Sequence, residues 1–294
     1  MAIFRGAGVA LVTPFHEDES VNYDALEALI EMQIEGQTDA IIVCGTTGEP
    51  STMTEEERES VIRFVIEKVK KRVPVIAGTG CNNTGNTIKM SKKAEELGAD
   101  GLLVVTPYYN KATQEGLFLH YKAIADEVNI PIIMYNVPSR TGCNILPETA
   151  VRIAGECKNV VAIKEAGGNI SQVATLALMG KGILDIYSGN DDEVIPILSL
   201  GGIGVISVLS NIAPKDTHDM VMEYLEGDRE KALDIQLRYL EVIHALFCEV
   251  NPIPVKAALN LMGKNAGTLR LPLTEMGEKS KVVLKEKMKE AGLI

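Results

Sequence analysis

A lysine, Lys164, stands inside the apolar run Val160-Val161-Ala162-Ile163-Lys164-Glu165-Ala166, where a lone ammonium group is costly. Taking a charged amine out of water lowers its pKa below the ordinary value of about 10.4, and a neutral lysine amine is a nucleophile that forms a Schiff base with a carbonyl. The plainer reading is a strand-end lysine whose stem lies along apolar surface while its head stays wet. Three further groups bear on the choice. In Gly45-Thr46-Thr47-Gly48-Glu49, glycines bracket two threonines, so that backbone N–H groups and hydroxyls together suit a carboxylate. The same residues also read as an ordinary glycine turn entering a helix, with Thr54 as N-cap and Glu57 completing a capping box. Tyr135 is either a proton carrier for a carbinolamine or one more aromatic at a strand end. Arg140 is either a planar clamp for a carboxylate or a solvated surface residue. Taken together, an amine, a phenol, hydroxyls, backbone donors and one clamp need no metal and no cofactor. They suit a small α-keto acid, activated as an enamine for attack on a second carbonyl.

Such groups need a scaffold that brings them to one place. Eight short apolar runs have strand length: Val9 to Thr13, Ala40 to Cys44, Val75 to Gly78, Leu102 to Thr106, Ile132 to Tyr135, Val160 to Lys164, Asp185 to Ser188 and Val205 to Val208. Between them lie segments with helical spacing, among them Tyr23 to Gly36, Thr54 to Arg72, Thr84 to Leu97, Gln114 to Val128 and Pro214 to Glu226. Continuous apolar strands, each followed by a helix, predict a parallel sheet covered on its outer face. Eight such units predict an α/β fold of the (β/α)8 TIM-barrel type over residues 1–226. An open doubly wound sheet is the alternative, but Thr13-Pro14-Phe15 after the first strand is not a glycine-rich dinucleotide turn. Residues 227–294 change rhythm: Asp228 to Cys248, Pro252 to Met262 and Pro272 to Ala291 read as helices of a carboxy-terminal helical appendage, with Asn251-Pro252 and Leu271-Pro272 marking helix starts. In a barrel of this kind the carboxyl ends of the strands share one mouth. That places Thr46, Thr47, Tyr135, Arg140 and Lys164 together, with Thr106-Pro107-Tyr108-Tyr109-Asn110 after the fourth strand.

The bulk properties narrow the partners. The chain has 294 residues, 46% of them apolar, enough for a large core. A formal charge of -11 argues against nucleic acid and anionic membranes. No basic amino-terminal segment precedes an apolar run and no apolar stretch reaches bilayer length, so a soluble, cytoplasmic protein is expected. Cys44, Cys81, Cys143, Cys157 and Cys248 are odd in number and scattered, which predicts isolated thiols in a reducing compartment. His16, His120, His218 and His244 lack metal-ligand spacing and are expected on helix surfaces or in the core.

Gly-Thr-Thr-Gly-Glu at 45 to 49, Tyr-Tyr-Asn at 108 to 110, Tyr-Asn-Val-Pro-Ser-Arg-Thr-Gly at 135 to 142 and Lys164 resemble the dihydrodipicolinate synthase family, among the class I pyruvate-dependent aldolases and lyases. The likeness spans essentially the whole chain, from Gly8 to Phe15 through Asn251-Pro252-Ile253-Pro254-Val255-Lys256. The resemblance implies that Lys164 forms an imine with pyruvate and that Tyr135, Thr46 and Tyr109 relay protons, Tyr109 reaching in from a neighbouring subunit. It further implies that Thr47 binds the pyruvate carboxylate near backbone groups of Gly189 and Ile206, and that Arg140 holds L-aspartate 4-semialdehyde. A homo-oligomer follows, a tetramer built as a dimer of dimers, with a product that feeds diaminopimelate and lysine synthesis. Arg140 favours this activity over the alternative of a sister aldolase such as N-acetylneuraminate lyase or keto-deoxy-gluconate aldolase. A phosphate-sugar barrel enzyme is disfavoured, because Ser210-Asn211-Ile212-Ala213-Pro214 after the eighth strand is no glycine-rich phosphate loop. A non-catalytic binding barrel is disfavoured by reactive groups at four separate strand ends. Lysine-inhibited members carry histidines and a glutamate where this chain has Glu55, Arg58 and Asn86, with Pro50 and Ser51 also differing, while Asn82 and Tyr108 fit. Weak or absent feedback by lysine is therefore expected.

Overall fold

In the computed structural model, which describes residues 2–294, eight parallel strands close into a barrel in chain order: β1 Gly6–Ala10, β2 Ala40–Val43, β3 Val75–Gly78, β4 Gly101–Val105, β5 Ile132–Asn136, β6 Val160–Glu165, β7 Asp185–Ser188 and β8 Gly204–Ser207. Strand β1 closes the ring by pairing with both β2 and β8. Helices cover the outside, so both faces of each strand are dry and the runs are apolar throughout. The two faces still differ by the two-residue alternation of strands. Ile41, Val75, Leu102, Met134 and Ile163 pack outward against helices, whereas Ile42, Ile76, Leu103, Ile133, Tyr135 and Ala162 fill the interior. Phe4 and Tyr187 stack within it with ring centroids 4.4 Å apart, and the Tyr187 hydroxyl donates to the Phe4 carbonyl. The interior is therefore packed from the amino-terminal end, and open space remains only near the strands' carboxyl ends.

Most predicted elements stand within a residue or two of their expected bounds. The first strand does not: it runs from Gly6 to Ala10 rather than from Val9. Its glycines are packing residues, since a Cβ on Gly6 would sit 2.0 Å from Asp39 Oδ2 and one on Gly8 2.9 Å from the Phe4 ring. A second correction concerns Leu271-Pro272, which leads into a turn; the last helix begins at Glu278 and ends at Glu290. Thr54 and Glu57 form the expected capping box. The carboxy-terminal helices Arg229–Leu246, Ile253–Leu261 and Glu278–Glu290 share one apolar cluster with the barrel's outer layer, through Leu246, Val255, Leu259 and Leu284. Among the described residues no helix is long and apolar enough to cross a membrane.

Candidate active site

Because Ala162 faces inward, the alternation along β6 turns Lys164 inward too. The residue is 5% exposed. Among the described residues its ammonium group makes no hydrogen bond and no ion pair, and the nearest group of note is the Tyr135 ring, whose centroid lies 4.3 Å from Nζ. The two residues are register partners across β5 and β6. Burial draws the amine's pKa down to about 7; Asp191 opposes that shift and Arg140 adds to it. Gly189 makes room for the side chain. A Cβ there would lie 3.0 Å from Lys164 Cε and 2.7 Å from the Ala166 Cβ.

Around the amine is a cavity of about 660 Å3 lined by Thr46, Thr47, Tyr135, Arg140 and Gly189. Residues 46–48 form a 3-10 turn closed by Gly48 N donating to the Gly45 carbonyl at 2.8 Å. The Thr13 hydroxyl donates to the Gly48 carbonyl at 2.8 Å, which fixes the turn to the end of β1. Thr47 is buried, Thr46 half-buried. Burial raises the Tyr135 phenol's pKa, against the pull of Arg140 and of the Thr46 side chain. Such a phenol stays protonated at neutral pH and is able both to give and to receive a proton as the Lys164 adduct changes charge. Arg140 is exposed on a short helix, Pro138–Thr141, directly after β5. Ile206 is fully buried in the interior cluster, and the cavity wall near β8 is Val208. Tyr109 is 90% exposed and lies outside the cavity of its own chain.

Three features of this site escape sequence reasoning. The first is Asn251, at the start of the carboxy-terminal helices: its Nδ2 donates to Thr47 Oγ1 at 3.0 Å, its carbonyl accepts from Arg140 Nη2 at 3.4 Å, and its Oδ1 is buried without a partner. Residues 247–251 thus complete the cavity wall from outside the barrel. The second is Asp191, whose carboxylate accepts from the Ser207 hydroxyl and from the Val208 and Leu209 N–H groups. The third lies one residue beyond the Tyr135 and Lys164 pair. There Asn136 Nδ2 donates to both Glu165 carboxylate oxygens, at 3.1 and 3.0 Å, and Gly167 N donates to Oε1 at 2.8 Å. Burial pushes the Glu165 carboxyl up to about 7, and these donors hold it back. Asn136 Oδ1 also accepts from Ile145 N, so the pair ties the Arg140 loop to the two strands.

His120 is buried with Nδ1 2.9 Å from the Thr84 hydroxyl, and His218 Nδ1 lies 2.8 Å from Asp39; both stand away from the cavity. Among the described residues no group of three or more His, Cys, Asp or Glu side chains is placed to hold a metal ion.

Comparison with known proteins bears on what this geometry does. The model of the Dihydrodipicolinate synthetase family matches residues 3–291. The 4-hydroxy-tetrahydrodipicolinate synthase of Lachnoclostridium phytofermentans is 61% identical over 294 residues, covering all of both chains. That of Caldicellulosiruptor bescii is 60% identical over 293 residues, covering 100% of this chain and 99% of its own. The crystal structure of dihydrodipicolinate synthase from Thermotoga maritima superposes with a TM-score of 0.97 at 48% identity, covering both chains completely.

Proposed function

The chain belongs to the dihydrodipicolinate synthetase family, and from that premise we propose that it condenses pyruvate with L-aspartate 4-semialdehyde to 4-hydroxy-tetrahydrodipicolinate, in the diaminopimelate route to lysine. The observation that carries the reading is a desolvated amine that has no ion-pair partner among the described residues and that faces a phenol beside a cavity also holding a guanidinium. The neutral Lys164 amine adds to the pyruvate carbonyl carbon. Loss of water gives an iminium ion, and loss of a methyl proton gives an enamine. The enamine carbon attacks the aldehyde carbon of the second substrate, whose oxygen becomes the new hydroxyl on taking a proton. The substrate's own amine then attacks the iminium carbon, closes the ring and releases Lys164. Tyr135 moves the protons at the imine carbon through Thr46 and the Tyr109 of a second copy of the chain. Thr47 and the backbone of residues 45–48 hold the pyruvate carboxylate, with Gly189 and Ile206 backbone groups beside it. Arg140 takes the carboxylate of the semialdehyde.

The exposure of Tyr109, on a residue with φ of 71°, supports an assembly in which that ring serves a neighbour's cavity, at least a dimer and, by family likeness, a tetramer. Mixing Tyr109→Phe and Lys164→Ala proteins should regain activity that neither has alone, through hybrid interfaces carrying one intact site. The decisive test is intact mass after pyruvate and borohydride. Wild type should gain one reduced pyruvate and Lys164→Ala none; a wild type without adduct sinks the Schiff-base reading. An adduct without turnover of the semialdehyde would instead move the chain to a sister aldolase.

A further inference from the structure

Glu165 follows Lys164 on β6 and, by the alternation of strands, points away from the cavity. It is 2% exposed, and among the described residues no lysine, arginine or histidine pairs with it. A carboxylate taken out of water with only neutral donors costs stability, so holding the fold together does not account for it. Its partner Asn136 belongs to a chain of side-chain amides. Asn136 Nδ2, besides donating to Glu165, donates to Asn144 Oδ1 at 2.8 Å, and Asn144 Nδ2 donates to Gln172 Oε1 at 2.8 Å. Asn136 Oδ1 accepts from Ile145 N at 3.0 Å. Gln114 holds the same segment from another side, its Nε2 donating to the Asn144 carbonyl at 2.8 Å and its Oε1 accepting from Leu146 N at 3.1 Å. Residues 144–146 are therefore pinned by one amide side chain from β5 and one each from the starts of the helices Gln114–Ala125 and Ile170–Gly180. They end the loop that carries Arg140. At the loop's other end the short helix Pro138–Thr141 is closed by Gly142 N, which donates to the Pro138 carbonyl at 2.8 Å. Arg140 itself makes one hydrogen bond among the described residues, the 3.4 Å contact with the Asn251 carbonyl. The position of its guanidinium is inherited from the turn on which it stands.

We propose that Glu165 is a positioning residue for the second substrate: through Asn136 and Asn144 it holds the Arg140 turn against the cavity, and so governs capture of the semialdehyde while leaving imine formation alone. The kinetic part of this rests on the function proposed above. The charged carboxylate offers acceptors on both oxygens to Asn136 and Gly167, whereas the protonated form loses one acceptor to its own O–H and loosens the strut. Burial first, and the Glu193 carboxylate less, push the group up to about 7, against the pull of Asn136, Gly167 N and Gln172. The strut is therefore intact above that pH and weakens below it. Glu165→Gln is a neutral mimic of the acid form. At saturating pyruvate and about pH 8 it should raise KM for the semialdehyde about tenfold, the scale of one charge-assisted hydrogen bond, with kcat little changed and borohydride trapping of pyruvate within about twofold of wild type. As the pH falls to about 6 the two KM values should converge. Asn144→Ala cuts the strut at its loop end without touching β6; it should give the same rise at both pH values, and combining the two substitutions should add nothing further. Hydrogen exchange across residues 142–147 needs no substrate and should quicken in both variants. A merely structural carboxylate would slow trapping and capture alike at every pH. That result, KM values that fail to converge, or unchanged exchange would each overturn the assignment. A wild type that traps pyruvate but turns over no semialdehyde would remove the proposed reaction, and the exchange measurement alone would then decide whether Glu165 holds the turn.

Discussion

Two lysines are taken out of water in this fold, Lys164 at 5% exposure and Lys256 at 1%, and they could hardly be treated more differently. Lys256, in the helix Ile253–Leu261, donates to Glu49 Oε1 at 2.8 Å and to the carbonyls of Thr13 and Thr268 at 3.0 and 2.5 Å. Three donors meet three acceptors. Its ammonium group also lies over the Phe15 ring, 4.4 Å from the centroid, with the Arg270 guanidinium carbon 4.3 Å from the same centroid. Lys164 meets an aromatic face and open space. Burial by itself therefore does not make a nucleophile. A buried ammonium with a full set of acceptors is a fastener, here joining the carboxy-terminal helices to the turn that carries Thr46 and Thr47. One left without acceptors is driven toward the neutral amine.

Exchanging each lysine for methionine should separate the two roles. Lys164→Met should lose turnover by on the order of 10^6-fold, the scale seen when a covalent nucleophile is removed, and trap no pyruvate. Its stability should rise at low pH. The folded amine titrates near 7 and the unfolded one near 10.4, so below 7 both states are protonated and the folded state bears the whole cost of the buried charge. Above about 10.4 both are neutral and the gain disappears. Urea midpoints across pH 6 to 10 check this; a variant less stable than wild type at pH 6 would contradict it.

Lys256→Met should do the reverse, retaining the pyruvate adduct while losing about 3–5 kcal/mol of stability, because Glu49 is left buried without its ion-pair partner. Glu49→Gln in the same background should restore part of that loss. If the double variant is no better than the single one, the lysine contributes by packing on Phe15 rather than by its charge.

Gly189→Ala sharpens the contrast without removing either lysine. Its methyl would press on Lys164 Cε and Ala166 while touching nothing near Lys256. Displacing a reacting atom by a few tenths of an ångström to an ångström costs up to about 10^2-fold in rate. The expected readout is slower trapping of pyruvate together with a lower melting temperature, because the 2.7 Å approach to the Ala166 Cβ forces the strand ends to shift.

What could be read from the chain alone followed from how local each signal is. The capping box at Thr54 and Glu57 needs only a four-residue segment, and it is present as expected. The barrel was legible because apolar runs and helical segments alternate, and Lys164 because a charge interrupts such a run. The faces of each strand were not, since both are apolar here and the two-residue alternation leaves no trace in composition. Gly6 and Gly8 look like loop residues until the neighbouring Asp39 and Phe4 are seen to need their missing side chains. Asn251 was visible only as the residue before a proline. Its contacts with Thr47 and Arg140 span 204 and 111 positions of chain, and no local pattern encodes a partner at that distance. Glu49 and Lys256, 207 apart, likewise stand in motifs whose ion pair no spacing could suggest.

The mildest test asks which charges set the reactive lysine apart. With the amine titrating near 7, the rate of imine trapping by cyanoborohydride at low pyruvate should fall about tenfold per pH unit below that value, because only the neutral amine adds to the carbonyl. Arg140 lowers the amine's pKa and Asp191 raises it, so the two sides of the cavity pull in opposite directions. Arg140→Gln should move the midpoint up and leave less neutral amine at pH 7. Asp191→Asn should move it down and flatten the profile near neutrality. Opposite shifts would establish that the cavity's charges tune the amine, and that desolvation sets the baseline on which they act. Equal profiles in all three proteins would assign the lowered pKa to burial alone. The difference from Lys256 would then reduce to the acceptors that Lys164 lacks.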